Sequence, residues 1–380
     1  DYTISRTAAA GVDYEPLPFV EDVLEAMKPD APLLHDDLYT KTLSEKPTRP
    51  SNIALHVEMG RGDVEEGFRQ ASVVVERTYR TQMVHQGYIE PQACVAQWAP
   101  DGEATVWATT QGSFNLKTQL CALLGIPHQK LRVVPMEVGG AFGGKIYTLV
   151  EPLCVLLAKK AGRPVKLTLT REEVLRATGP APAAVVRVKA GATREGKLTA
   201  IQMWLAFDAG CFPGAPVGAA VMVGLAPYKV DHLRADGFDV VTNKPRVHAY
   251  RAPGAPQGAF AVEALIDELA ERLGIDPLEL RRINAVQEGD LQPHNVKYNR
   301  IGLKQVIEAV ARHPHWTAPL TGANRGRGLA LGYWMGGVLT SSCHVALNGD
   351  GSLSLTVGSV DLTGTRTALS QIAAEEFGLP

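Results

Sequence analysis

The stretch EVGGAFGGKIYTL, residues 137–149, sets four glycines, a phenylalanine and a lysine in one tight loop. Gly139, Gly144 and Lys145 match the first seven positions of G-x-x-x-x-G-K-[ST], the loop that cradles phosphates. Residue 146 is isoleucine, where that motif needs a hydroxyl for magnesium. The loop therefore offers backbone N–H groups and a positive charge but no metal ligand. Either it holds an anion without magnesium, or it is only a turn. Strand-like LRVVP (131–135) precedes it, and IYTLVEPLCVLLAKKAG (146–162) reads as a buried helix running to Gly162. A glycine loop between a strand and a helix N-terminus favours anions, because unpaired N–H groups and the helix dipole point into it. Phe142, an aromatic among small residues at the apex, has little core to fill and is a candidate to face a ligand.

A chain of 380 residues with 45% hydrophobic content can bury a large core and should divide into two or more domains. With 38 basic against 40 acidic side chains it is nearly neutral, which argues against a general nucleic-acid or membrane-surface binder. Cys94, Cys121, Cys154, Cys211 and Cys343 lie far apart and form no C-x-x-C pair for zinc or iron–sulfur. They read as reduced, mostly buried thiols of a cytoplasmic protein. No apolar run reaches the roughly 18 residues of a membrane span, and DYTISRTAAAG lacks the basic-then-apolar order of a signal peptide.

Along the chain, ATVWATT, LRVVP, VKLTLT, AVVRVKA and LTAIQMWLAFDAG read as strands by β-branched content and alternation. They are mixed irregularly with helices, an α+β pattern. The clearest helix covers 260–273, with Val262, Leu265, Ile266, Leu269 and Leu273 on one face and Gly274 to stop it. Asp276, Pro277 and Glu279 supply N-cap, N1 and N3 of another. Near the start, GVDYEPLPFVEDVLEA suggests a short strand, a proline break and a brief helix. KTLSEKPTRPSN (41–52) reads as a surface linker, and 312–331 as a boundary between domains. Two further loops stand out. TTQGSF (109–114) ends a strand with Gln111 and opens a helix; a polar residue there is ordinarily a cap or turn residue. In HAYRAPGAPQGAF (248–260), Arg251 sits among prolines and small residues. It is ordinarily a surface charge, yet its fork of donors suits an anionic or oxo ligand.

TTQGSF, GGAFGGK and AYRAPGAPQ, in this order and followed by AVEALIDELAERLGIDPLELRRINAV, resemble the large, molybdopterin-binding subunit of the molybdenum hydroxylases, the xanthine dehydrogenase and aldehyde oxidase family. HQGYIEPQACVAQW (85–98) and QIAAEEFGLP (371–380) extend the likeness through most of the chain. The resemblance implies a molybdenum ion held by a pterin dithiolene, as molybdopterin or its cytosine dinucleotide. Gln111, Phe142 and Arg251 would surround the metal without ligating it, and Gly112, Gly140, Ala141 and Gly143 would bring backbone close to the cofactor. Ile146, Tyr250 and Ala252 would border the substrate. Gln111 would donate an amide hydrogen bond to a molybdenum oxygen, a charge-assisted contact typically worth about 1.5–3 kcal/mol. Lys145 would then make a salt bridge or a packing contact, outside the catalytic set.

The implied reaction is hydroxylation of an aldehyde or an N-heterocycle, with water as oxygen source and two electrons released. GRGLALG (326–332) sits in a strand-like run without the following helix of a dinucleotide fingerprint. Iron–sulfur clusters and FAD are therefore expected on partner subunits or on further regions of a longer polypeptide. Purine-oxidising members have a glutamate after the loop lysine, and Ile146 stands here; members with a copper-bridging cysteine after the loop arginine have Ala252 as their counterpart here. DLTGTRT (361–367) keeps Gly364 of the second pterin-binding segment but lacks its glutamine. The expected division is the end of a preceding domain with a linker over 1–52, a first cofactor-binding domain over 53–316, and an incomplete second over 317–380. The family's base glutamate would lie beyond Pro380, so the catalytic base is unassigned; an isolated chain is expected to be inactive. A scaffold of this fold without cofactor, or a P-loop-like nucleotide binder, are the alternatives.

Overall fold

The computed structural model describes residues 15–336, 341–362 and 364–380. Its centre is a five-stranded mixed sheet of β1 (Ile53–Arg61), β2 (Val73–Thr81), β7 (Ala183–Ala192), β8 (Leu198–Asp208) and β9 (His232–Val240), in the order β1-β9-β8-β7-β2. Only β8 and β9 pair in parallel; the other neighbours are antiparallel. Central β8 reads as a nearly continuous apolar run because both its faces are covered. Met203, Leu205 and Phe207 join the main core with the helix Ala255–Leu273, while Ala206 packs with Val23 and Ala26 of the short helix Val23–Ala26.

The second sheet is smaller: β3 (Ala93–Trp98), β4 (Ala104–Ala108), β5 (Leu131–Pro135) and β6 (Val165–Thr168), in the order β5-β4-β3-β6. The helices Ser113–Leu124 and Glu151–Ala161 bury Leu116, Leu120, Cys154 and Val155 against it. A hairpin of β10 (Cys343–Leu347) and β11 (Leu353–Val357) and the helix Thr365–Phe377 follow. All five cysteines are free thiols; Cys94, Cys121 and Cys154 are buried, Cys211 is half-buried and Cys343 exposed.

Three sequence expectations need correction. The helix read over 146–162 begins only at Glu151, because Pro152 is tolerated in a first turn but not in a helix interior. It does end at Gly162, in the left-handed conformation, but only one face is buried: Leu153, Leu156 and Leu157 are exposed. The helix read from 260 begins at Ala255, since the apolar period that betrays a helix is absent from its first turn. There Gly258 meets the helix Val217–Leu225, and a Cβ on it would lie 2.5 Å from the Ala220 carbonyl oxygen. No strand forms over 15–22 or 326–332. Residues 11–14, where the first strand was expected to begin, lie outside the described residues.

The stretch around 331 is instead held by a buried ionic knot. Arg281, fully buried, pairs with Glu263 at 2.9 Å and Asp267 at 2.7 Å, and Glu263 also accepts from the Tyr228 hydroxyl and the Leu331 amide. Every oxygen of Glu263 thus has a donor, the condition under which a buried carboxylate is tolerated.

Candidate cofactor site at three converging loops

The glycine loop leaves β5, and Gln111 sits just past the end of β4, the parallel neighbour of β5. Adjacent strand ends bring the two loops together before any side chain is considered. Gln111 Oε1 then accepts from the amides of Gly143 at 2.9 Å and Lys145 at 3.3 Å, and the Gln111 amide donates to the Lys145 carbonyl at 2.9 Å. The Arg251 amide donates to the Phe142 carbonyl at 2.8 Å. Gln111, Phe142–Gly143 and Arg251, far apart in sequence, are thereby placed side by side.

Close packing explains the glycine at 143. Its φ is +105°, and a Cβ there would lie 2.4 Å from the Ala249 carbonyl oxygen. Phe142 and Ala252 also have positive φ, 50° and 55°, although neither is glycine. Such backbone costs of order 1–3 kcal/mol each and persists only where the surroundings over-determine it. Two such residues on facing loops mark this place out.

The loop is not a phosphate cradle. The amides of Gly139, Gly143, Gly144 and Lys145 all bond to protein oxygens, and the next helix starts six residues beyond Lys145. Lys145 is buried and pairs with Glu90 at 2.7 Å; burial pushes its ammonium pKa down, against the opposing pull of Glu90. The loop lysine is thus not free for a nucleotide, which disfavours the P-loop alternative.

What the motif reading missed is the segment 85–92 beneath the loop. Glu90 Oε2 accepts from Lys145 Nζ and, at 2.8 Å, from the Gly139 amide, so it ties both ends of the loop. Gln86 donates to the carbonyls of Gly179 at 3.0 Å and Ala249 at 2.9 Å; the buried Tyr88 ring lies under Lys145, and its hydroxyl accepts from Gln92. The signal was available: a lysine flanked by glycines and apolar residues needs an acid, and HQGYIEPQ holds one.

The remaining surface of the site is a set of donors. The Arg251 guanidinium is exposed and makes no ion pair or hydrogen bond among the described residues, and Gln111 Nε2 likewise has no acceptor there. Phe142 is 41% exposed at the apex, Gly140 and Gly143 flank it with positive φ, Ala141 is buried, and Gly112 stands at the head of the helix Ser113–Leu124. Tyr250 and Arg251 line a cleft of about 480 Å³ with Val84, Gln257 and Phe260; Gln111, Phe142 and Ile146 are not part of its lining. Half-buried Ile146 has its carbonyl near Gly112. Free N–H donors, a cation without a partner among the described residues and an exposed ring would suit an anionic oxo-metal–pterin group.

The chain belongs to the molybdopterin cofactor-binding domain family, whose pattern matches residues 45–285. It is 32% identical over 385 residues to a probable xanthine dehydrogenase subunit of Bacillus subtilis, covering 97% of this chain and 49% of that protein. It is 32% identical over 304 residues to the nicotinate dehydrogenase large molybdopterin subunit of Eubacterium barkeri, covering 79% of this chain and 68% of that one. Among solved structures, the aldehyde oxidoreductase of Desulfovibrio gigas superposes with a TM-score of 0.80 at 27% identity, over 93% of this chain and 40% of that one. The chain thus spans about half the length of the first of these relatives. The family drawn from the three loop motifs, a molybdenum hydroxylase large subunit, is the one these comparisons find.

Proposed function

We propose that residues 53–316 form a first molybdenum-cofactor domain, with 317–380 opening a second, in an enzyme that hydroxylates aldehydes or N-heterocycles. When bound, the pterin-held molybdenum supplies two-electron oxidation with water as the oxygen source. Iron–sulfur and flavin partners carry the electrons away. The observation that supports this reading is the convergence of Gln111, Phe142–Gly143 and Arg251 through backbone ties.

In this reading each residue has a separate task. Gln111 spends its carbonyl oxygen on the glycine loop, which orients its free amide N–H₂ toward the group. Arg251 offers a planar fork of donors to anionic oxygens. The bare backbone at Gly140 and Gly143 allows close approach, and Phe142 shields one side from water. Ile146, Tyr250 and Ala252 border the substrate. Without an acid at 146, the pocket gains little from a purine's N–H groups and favours aldehydes or less polar heterocycles.

The test is metal analysis and steady-state turnover of the chain assembled with its partners. Stoichiometric molybdenum and a higher kcat/KM for an aldehyde than for xanthine are expected. Molybdenum with xanthine preferred would overturn the substrate assignment; no molybdenum would make the chain a scaffold.

A further inference from the structure

A second cluster of metal-ligating side chains lies on the outer face of the five-stranded sheet, on different elements from the loop site. His56 and Glu58 are two apart on β1 and so share a face, and Asp236 on β9 stands directly opposite Glu58 in the antiparallel register. Their ligand atoms all lie within 4.8 Å of one another, and His56 Nε2 is 3.0 Å from Asp236 Oδ1. The pair is hydrogen-bonded here, at a separation that two ligands of one small ion also adopt. The imidazole is held in place by stacking on Phe238, with ring centroids 4.4 Å apart and planes 3° from parallel. A hydrogen-bonded ladder thus fixes all three backbones, and a packed ring fixes one ligand.

Arg234 now supplies the positive charge. Its Nε lies 2.8 Å from Asp236 Oδ2 and its Nη2 3.9 Å from Glu58 Oε1. Its side chain is 48% exposed, so it can turn to solvent at small cost, whereas Asp236, at 13%, cannot leave. Glu58 and Asp236 line an open cleft of about 960 Å³, with His56 behind Asp236, and the two carboxylates need a replacement cation when the arginine leaves. We propose that His56, Glu58 and Asp236 form a binding site for zinc or a similar late first-row divalent ion, with Arg234 as the counter-charge the ion displaces. One nitrogen and two oxygens, with remaining positions open to water, match the ligands such ions take.

Titration calorimetry of zinc chloride into the chelator-treated chain tests this. Saturable one-to-one binding is expected in wild type and in Cys343→Ser, which removes the exposed thiol as a competing ligand. His56→Ala should weaken it by at least the roughly tenfold that losing a supporting partner costs a metal site. Arg234→Gln should tighten it several-fold, a direction that general damage to the fold would not produce. Cobalt(II) should give visible d–d bands without thiolate charge transfer. Absence of saturable binding, or an affinity unchanged in both His56→Ala and Asp236→Asn, overturns the proposal. Neither result depends on the molybdenum assignment.

Discussion

The loops over 139–145 and 248–252 have no regular secondary structure, yet they are bound from many sides; the helix Thr365–Phe377 is regular, yet none of its residues is buried. In the loops, the backbone flanking strained Phe142 and Ala252 is held by Gln86, Glu90 and Gln111 through contacts spanning 32 or more positions. The tail contacts the body through an exposed pair, Arg366–Glu137 at 2.5 Å, and through Gly358 near the Phe114 ring. Local regularity and fixation are therefore separate properties, and the candidate site draws on the second.

The largest effect should come from Glu90→Ala. It leaves Lys145, whose side chain is 1% exposed, without its carboxylate and frees the Gly139 amide. Removing one member of a fully buried pair typically costs about 3–5 kcal/mol; with Glu90 itself 29% exposed, a loss of up to about 3 kcal/mol should appear in urea unfolding of the chain. The assembled enzyme should also lose molybdenum. If stability were unchanged, the loop would not depend on the segment beneath it, and the contrast with the tail would fail.

A smaller effect of opposite sign is expected at Ala252. Glycine at φ +55° relieves the left-handed penalty of roughly 1–2 kcal/mol, against an entropy cost in the unfolded chain of about 0.4–1 kcal/mol. Ala252→Gly should raise stability by up to about 1.5 kcal/mol, where the same change in a helix interior costs about 0.5–1 kcal/mol. Thermal unfolding of the pair Ala252→Gly and Ala270→Gly reads the difference directly, Ala270 lying buried in the long helix. A loss of equal size at both positions would mean that position 252 stores no strain.

Legibility followed the same division. Strands β4 to β8 could be read because alternation or apolar runs report which faces are covered, and the core face of the helix Ala255–Leu273 was visible in Val262, Leu265, Ile266 and Leu269. Its first turn was not, because Gly258 is there for close helix contact rather than for periodicity. Gln111, Phe142 and Arg251 were legible as oddities in small-residue settings, and three motifs in order made them a family. Their supports were not. Glu90 and Gln86 act through contacts 49 to 163 positions long: Lys145 signals that an acid is needed, but nothing local says which acid supplies it.

The smallest effect should come from the tail helix. Ile372 and Phe377 are 56% and 57% exposed, so a polar replacement of similar length keeps most of its surface in water and leaves no enclosed cavity. Glutamine is also at least as good a helix former as isoleucine. Ile372→Gln should therefore change the unfolding free energy of this chain by less than about 0.5 kcal/mol. Ile266→Ala, at a fully buried position of the long helix, should cost about 2–5 kcal/mol in the same assay. A penalty above about 2 kcal/mol for Ile372→Gln would mean that Ile372 is packed in solution, since only burial makes an isoleucine worth that much.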